Sequence, residues 1–221
     1  MDHGKLDTNS SDRRLASVVA EILEGRSGIP ATRALVVGIS GIDGSGKGFV
    51  TEKLADALRK KSLNVALISA DDWLNLPQVS TNRDNCAEHF YEHAIRFDEM
   101  FERLIAPLKQ SRAVSIMADC AKAKTTAFRK EHYEFCNIDV VLLEGIFIFK
   151  PNYRHHFDLS VWIDCSFEVA LERAIQRGQE GLSPAETVKA FQTIYFPAQR
   201  IHLALDNPRE AADIVLANDK L

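Results

Sequence analysis

An unbroken apolar segment followed at once by a glycine-rich turn limits most strongly the folds open to this chain. Residues 34–39 read Ala-Leu-Val-Val-Gly-Ile, which is typical of a strand buried on both faces of a parallel sheet. Residues 41–48 read Gly-Ile-Asp-Gly-Ser-Gly-Lys-Gly, and a helical pattern with one apolar face occupies 46–61. The sequence therefore predicts a strand, a tight loop and a helix in direct succession.

The turn matches the pattern G-x-x-x-x-G-K, whose spacing suits the binding of phosphate groups. Glycines let successive backbone N–H groups point inward, the helix adds the positive end of its dipole, and a lysine supplies a mobile charge. A plain strand-to-helix turn is the alternative, but the strand before and the helix after favour a phosphate loop. The residues predicted to bind a nucleotide are Gly41, Asp43, Gly44, Ser45, Gly46, Lys47, Gly48 and Phe49.

Gly48 departs from the pattern, because the position after the lysine usually carries a serine or threonine hydroxyl that contacts Mg²⁺. Glycine has no such group, and neither do Phe49 and Val50 next to it. We expect a weaker direct contact with the metal and a greater dependence on water and phosphate oxygens. This difference weakens a direct metal contact without excluding catalysis.

Strand and helix patterns alternate along the rest of the chain, which predicts an α/β fold with a mainly parallel sheet. Ligands of such sheets bind beyond the carboxyl ends of the strands. Residues 1–12 are predicted to be a loose tail, residues 13–24 a helix ended by Gly25, and residues 31–221 the main domain after an N-terminal part of 1–30. The other predicted strands are 64–69, 113–118, 138–143, 159–163 and a short 211–216, and the other predicted helices are 98–110 with Asp98 as N-cap, 167–177, and 184–205 kinked or split at Pro197.

Composition excludes several classes of partner. The chain has 221 residues, of which 46% are hydrophobic, enough for a sizeable core without disulfides or metal. Its net charge of −4 argues against a grip on nucleic acid, which needs clustered Lys and Arg. No apolar run approaches the roughly 18 residues of a membrane span. Four widely spaced cysteines and a polar N-terminus without a signal-peptide pattern favour a cytoplasmic protein.

Acidic residues follow two of the predicted strands. Asp71 and Asp72 come directly after the second strand, where a carboxylate could accept the proton of an attacking hydroxyl during phosphoryl transfer. Asp71 is the predicted base, and Asp72 is a second candidate or an indirect Mg²⁺ anchor, unless either caps a turn. Glu144 ends another apolar strand and could orient the waters of Mg²⁺, or it could cap the turn at Gly145.

Further candidates lie on helical or aromatic segments. Arg173 and Arg177 share one helix face and could close over transferring phosphates, although a solvated helix face is the alternative. Trp73 and Tyr91 could stack on a base or belong to the core. His89 and His93 have the spacing of a helical metal pair, but a surface or substrate-pocket role is favoured.

Several segments together resemble the uridine kinase family, within the broader group that includes phosphoribulokinase and pantothenate kinase. They keep the family's order and span most of the chain from residue 35 onward. The segments are GISGIDGSGK (38–47), ISADDWL (68–74), HFYEHAIRFDEMFERLIAPL (89–108), VVLLEGIFIFKPNYRHHFDLSVWID (140–164) and FPAQRIHLALDNPREAADIVLAND (196–219).

The resemblance implies a P-loop NTPase fold with a five-stranded parallel sheet and helices on both faces, together with ATP and Mg²⁺. It implies that Asp71 is the base and that Arg173 and Arg177 belong to a lid. The region of Tyr91, His93 and Arg96 would then face the acceptor, a small molecule. The chain departs from the family pattern at Gly48, at Leu74 and after Arg177, and the acceptor and any homo-oligomeric state stay open.

Three functions follow from these observations. The first is transfer of the γ-phosphoryl group of ATP to a hydroxyl of a nucleoside, uridine-like, or of a similar small molecule. The second is a nucleotide-binding ATPase or switch module, although the guanine-reading N-K-x-D pattern of GTPases is absent from the sequence. The third is a degenerate kinase with weak or no transfer activity, which Gly48 motivates.

Overall fold

The computed structural model describes residues 4–80, 84–121, 125–178 and 182–219, with side chains described from residue 13 onward. Helices and strands alternate along most of this length. The strands are β1 (Leu35–Gly41), β2 (Val65–Ser69), β3 (Val114–Cys120), β4 (Arg129–Phe135), β5 (Val140–Glu144), β6 (Leu159–Asp164) and β7 (Ile214–Ala217). The α-helices are α1 (Gly4–Ser27), α2 (Lys47–Arg59), α3 (Pro77–Ser80), α4 (Cys86–His93), α5 (Phe97–Met100), α6 (Ala106–Ser111), α7 (Phe167–Arg177), α8 (Pro184–Ala190) and α9 (Phe196–Asp206).

Five strands form one sheet in the order β2-β5-β1-β6-β7, and every neighbouring pair is parallel. All seven residues of β1, the central strand, are buried. Such a strand is covered on both faces, which explains its continuous apolar sequence. The predicted α/β fold with a parallel five-stranded sheet is therefore confirmed.

Apolar layers cover the two faces of this sheet. On one face, α1 and α2 pack against alternate residues of the strands, among them Val37 and Leu142. On the other face, α5, α6, α7 and α9 pack against the remaining residues, among them Val36 and Val141. None of the described helices combines the length and apolar character needed to cross a bilayer.

The predicted third strand exists but lies outside the parallel sheet, which corrects its placement. β3 pairs antiparallel with β4, with Val114 opposite Phe135 and Cys120 opposite Arg129. Burial alternates along both strands of this hairpin, whereas β1 and β5 are buried almost throughout. The fifth parallel strand is β7, which the sequence indicated only as a short last strand.

The N-terminal segment is more helical than predicted. α1 begins at Gly4 and ends at Ser27, so the prediction of a loose tail over 1–12 is wrong for residues 4–12, and Gly25 does not end the helix. Gly25 lies against β1, where an added Cβ would lie 3.4 Å from a methyl group of Leu35. This distance is an ordinary van der Waals contact, so space does not require a glycine here; a single glycine costs a helix about 1 kcal/mol, which packing against β1 can outweigh.

Two helical stretches widen into a π turn that ends two residues before a proline. Phe101–Ile105 precedes Pro107, and Phe191–Tyr195 precedes Pro197. In a regular α-helix a proline lacks the N–H of one bond and its ring collides with the carbonyl four residues earlier, and a wider turn relieves both problems. The stretch predicted to be kinked or split at Pro197 is helical without interruption over 184–206, and the π turn before this proline accommodates it.

The helix predicted to begin at Asp98 begins one residue earlier, at Phe97. Asp98 therefore lies in the first turn and is not the N-cap. Its Oδ1 accepts a hydrogen bond from the hydroxyl of Tyr153 at 2.7 Å. The carboxylate ties α5 to the segment that follows β5, which is a packing contact that the sequence pattern did not indicate.

Candidate active site

The loop between β1 and α2 has the backbone geometry that the glycine pattern predicts. Gly44 and Gly46 have φ angles of 79° and 88°, in the left-handed region that favours glycine. There is also no space for side chains, because a Cβ at Gly44 would lie 2.3 Å from the carbonyl oxygen of Ala170, in α7. A Cβ at Gly46 would lie 2.6 Å from Nδ2 of Asn218. Both glycines are therefore required by conformation and by contact.

Lys47 is the first residue of α2 and is 8% exposed, so most of the residue is withdrawn from solvent. Gly48 and Phe49 are exposed on the first turn of the same helix. An added Cβ at Gly48 meets nothing within 4 Å, and the Phe49 ring, 56% exposed, carries the ammonium of Lys53 at 4.7 Å. The start of α2 is thus open to solvent beside the loop.

Asp71 and Asp72 lie in a 3-10 turn that directly follows β2. Ser69 accepts a hydrogen bond from the backbone N–H of Asp71 at 3.3 Å and donates one to Oε1 of Glu144 at 2.7 Å. Ser69 and Glu144 are paired residues of the adjacent strands β2 and β5. One serine hydroxyl therefore fixes both the turn that carries Asp71 and the carboxylate of Glu144.

The pKa of Asp71 is raised to about 6. Loss of hydration among the surrounding protein atoms is the main cause, although the residue as a whole retains solvent exposure. The charge of Lys47 lowers the pKa, and the carboxylates of Glu144, Asp43 and Asp72 raise it. These interactions place the predicted base, the loop lysine and three further carboxylates in one electrostatic environment. A group with a pKa near neutrality is well suited to take a proton.

The two predicted lid arginines have different environments. Arg173 donates hydrogen bonds to the carbonyl oxygens of Ser45 and Asn218, at 3.3 and 2.7 Å, so it braces the loop against the end of β7. Arg177 is half exposed, with one nitrogen 3.9 Å from Oδ1 of Asp43. Arg177 is therefore the better placed of the two to reach a bound phosphate.

Among the predicted acceptor residues, the structure brings Arg96 and Trp73 together, with the Arg96 guanidinium 5.4 Å from the centroid of the Trp73 ring. Trp73 is fully buried and stacked with Tyr133 at 5.7 Å between centroids, which is the environment that the core alternative describes. The Tyr91 hydroxyl donates a hydrogen bond to Asp206 in α9 at 2.6 Å. Arg96 contacts Glu99 and the backbone of Asp119.

His93 lies on the surface at the end of α4, with its ring 4.5 Å from that of His89. In the part of the chain that the structure describes, no group of three or more His, Cys, Asp or Glu side chains could hold a metal ion. His89 is partly buried, and its Nε2 lies 2.5 Å from the carbonyl oxygen of Val79. The roles of all these residues toward an acceptor stay predictions.

Comparison with known proteins decides the family. The model of the phosphoribulokinase/uridine kinase family matches residues 36–183, which include the phosphate loop, Asp71, Glu144 and both lid arginines. The chain belongs to this family. As a member of this kinase family, it is an ATP-dependent phosphotransferase.

Known proteins resemble this chain in length and in fold. A uridine kinase of Limosilactobacillus reuteri (strain DSM 20016) is 26% identical over 188 residues, which cover 83% of each chain. The structure of a possible uridine kinase from Bacillus stearothermophilus has a TM-score of 0.72 at 22% identity and covers 93% of this chain and 98% of that one. D-glycerate 3-kinase from Cryptococcus neoformans has a TM-score of 0.62 at 15% identity, covering 84% and 87%. These structural likenesses show the fold.

The sequence patterns did not indicate three polar residues of the site. Ser69 links Asp71 to Glu144, and its position directly before the acidic turn could have indicated it. Gln199 accepts a hydrogen bond from the backbone N–H of Asp43, and Asn218 donates one to the carbonyl of Ser45. Their distance along the chain from the loop left no sequence signal.

Proposed function

We propose that the chain transfers the γ-phosphoryl group of ATP to a hydroxyl of a nucleoside or a similar small molecule, with Asp71 as the base. One observation carries the proposal. Asp71 follows β2, with a pKa raised to about 6, in the electrostatic environment of Lys47 from the phosphate loop and Glu144 from β5. An acceptor hydroxyl and a terminal phosphate can meet there, because the ends of these strands share one edge of the sheet.

The chemistry assigns one task to each group. Asp71 takes the proton of the acceptor hydroxyl while the oxygen of that hydroxyl bonds to the γ-phosphorus. The bond between this phosphorus and the β–γ bridging oxygen breaks, which releases ADP. Lys47 and the N–H groups of the loop neutralise negative charge on the phosphates. Arg177 supplies a further cation when the lid closes, whereas Arg173 acts by holding the loop.

The donor set fits Mg²⁺ bound mainly through water and phosphate. Gly48 has no hydroxyl, and Glu144 keeps one carboxylate oxygen beside the one that accepts from Ser69. Mg²⁺ commonly keeps several waters and uses one or two carboxylates. We assign Glu144, with Asp72 as a second candidate, to this role, and the bound ion would supply charge neutralisation at the phosphates. We assign the reaction to the cytoplasm, as the wide spacing of the four cysteines along the sequence favours.

A panel of acceptors tests the proposal directly. Purified protein is incubated with ATP, Mg²⁺ and single acceptors, namely uridine, cytidine, D-glycerate and simple sugars, and phosphorylated products are detected by mass spectrometry. We expect one class of acceptor to be phosphorylated and Asp71→Asn to lower kcat at least a hundredfold, as expected for loss of a general base. Glu52→Gln, an exposed change on α2, is the matched control. Absence of any product, or an unchanged rate in Asp71→Asn, would reject the proposal.

Gly48 supports a second candidate, a degenerate kinase whose transfer step is weak. The variant Gly48→Ser tests it, because a Cβ at this position meets nothing within 4 Å and the hydroxyl can be added without a collision. A gain in kcat and a lower Mg²⁺ requirement would show a weakened but intact site. Tight ATP binding with no transfer in either variant would favour the degenerate kinase, and slow hydrolysis that depends on a partner would favour a switch module.

A further inference from the structure

The phosphate loop is held from its outer side by side chains that come from distant parts of the chain. Gln199 in α9 accepts a hydrogen bond through Oε1 from the backbone N–H of Asp43 at 3.0 Å. Asn218, just after β7, donates through Nδ2 to the carbonyl oxygen of Ser45 at 2.6 Å. Arg173 donates to the same carbonyl and to the backbone oxygen of Asn218. The loop is therefore held at two of its peptide groups, through the N–H of Asp43 and the carbonyl of Ser45.

These contacts decide which way the peptide groups of the loop face. A trans peptide is planar, with its C=O and N–H pointing in opposite directions. Because two donors hold the Ser45 oxygen on the outer side, the N–H of Gly46 in the same peptide must point inward. Backbone N–H groups that point inward are what a phosphate-binding loop requires. The N–H of Asp43, in contrast, is withdrawn from phosphate binding by Gln199.

Burial and unused hydrogen-bonding capacity also single out these two residues. Gln199 and Asn218 are each 2% exposed. Among the described residues, neither Nε2 of Gln199 nor Oδ1 of Asn218 has a hydrogen-bond partner. The loop fixes the orientation of each side-chain amide. The N–H of Asp43 needs the oxygen of Gln199, and the carbonyl of Ser45 needs the NH₂ group of Asn218. A buried amide with one unused end is costly, and here the end that is used contacts the phosphate loop in both cases.

We propose that Gln199 and Asn218 are positioning residues that set the orientation of the loop peptides before a nucleotide binds. The inference rests on the proposed function in one respect, because it takes this loop as the site of the phosphates of ATP. It extends that function to α9 and to the end of β7, neither of which supplies a reacting group. A loop whose peptides are already oriented binds more tightly, because no part of its population must first rearrange.

A pair of variants at Gln199 tests the inference. Gln199→Met keeps the length of the side chain and removes the acceptor, so we expect ATP to bind about five- to tenfold more weakly, the equivalent of one hydrogen bond. The KM for the acceptor should stay unchanged. Gln192→Met, an exposed change between α8 and α9, is the control and should bind ATP like the wild type. Wild-type ATP affinity in Gln199→Met, measured by calorimetry, would overturn the inference.

Amide hydrogen exchange gives a second readout that needs no acceptor and no catalysis. In the nucleotide-free wild type, the N–H of Asp43 should exchange slowly because Gln199 holds it, and that of Gly46 should exchange quickly until ADP is added. Gln199→Met should accelerate exchange at Asp43, while Gln199→Glu, which keeps an oxygen acceptor, should not. Fast exchange at Asp43 in the wild type would contradict the inference even if the variants failed to fold. A protein that binds no ATP would reject the proposed function while leaving the Asp43 measurement decisive.

Discussion

The raised pKa of Asp71, the proposed base, weakens the fold that carries this residue. Its ionised form is disfavoured, because lost hydration and the neighbouring carboxylates raise its pKa to about 6 from 3.8. Between these two values the folded state holds more proton than the unfolded state. The free energy of unfolding therefore falls as pH rises from about 4 to about 6, and the loss persists above that range.

The variant Asp71→Asn should remove this penalty. We expect it to raise the free energy of unfolding at pH 7.5 by about 1 kcal/mol, a value reduced from the full linkage because solvent screens an exposed group. The gain should vanish near pH 4, where the wild-type carboxyl is protonated. Urea denaturation at the two pH values measures it, and Glu52→Gln serves as the control. An equal gain at both pH values would contradict this explanation.

Activity should depend on the same titration, but it should rise with pH over the range in which stability falls. As a base, Asp71 works only when ionised, so kcat/KM should fall about tenfold for each pH unit below about 6. A rate profile measured between pH 4.5 and 8 with a saturating nucleotide tests this. A profile that is flat across pH 6 would remove Asp71 from the role of base.

Helices α4 and α9 are joined by hydrogen bonds between side chains that are buried or partly buried. Asp206 accepts hydrogen bonds from the Tyr91 hydroxyl and from Nδ1 of His202, each at 2.6 Å. Burial alone would raise the pKa of Asp206, but the two hydrogen bonds together with the charges of His202 and Lys150 lower it. Burial also lowers the pKa of His202, so protonation of the unfolded chain weakens the fold as pH falls below about 6.5.

The variant Tyr91→Phe separates docking of α4 from acceptor binding. It removes one hydrogen bond to a buried carboxylate, and we expect a loss of about 2 kcal/mol in the free energy of unfolding at pH 7.5. Tyr153→Phe is the matched control, because its hydroxyl also donates to an aspartate, Asp98, but at an exposed site, and it should lose less. A raised acceptor KM without loss of stability would instead place Tyr91 at the acceptor.

At the scale of the whole molecule, α1 extends the core that covers one face of the sheet. Leu15, Val18 and Ile22 are buried in the same cluster as residues of β1. The division of the chain at residue 30 stays a prediction, but these contacts favour one unit over two. A helix that supplies fully buried side chains contributes to the stability of the domain that it covers.

The variant Ile22→Ala measures this contribution. Because Ile22 is fully buried, we expect a loss of about 3 kcal/mol in the free energy of unfolding in a single cooperative transition. Leu205→Ala removes a side chain of the same size from an exposed site and should change stability by less than about 0.5 kcal/mol. Two separate transitions in the wild type would indicate that α1 unfolds independently.

The sequence allowed those parts of the molecule to be predicted whose chemistry is contiguous. The phosphate loop, the acidic turn at Asp71 and the buried strands β1 and β5 each have their pattern within a few residues. The strand predicted at 113–118 was counted toward a mainly parallel sheet and β4 was not predicted at all, because a strand pattern does not indicate which strand it pairs with. Gln199 and Asn218 lie 156 and 173 residues from their loop partners, so only the folded chain brings them together.

The contact of Gly44 with the backbone of α7 has a consequence for how the loop and this helix can move. Only a hydrogen atom fits between this glycine and the Ala170 carbonyl. The main chain of the loop and that of α7 are therefore in direct contact at this point. A displacement of either one toward the other has no side chain to absorb it, so the two segments must shift together.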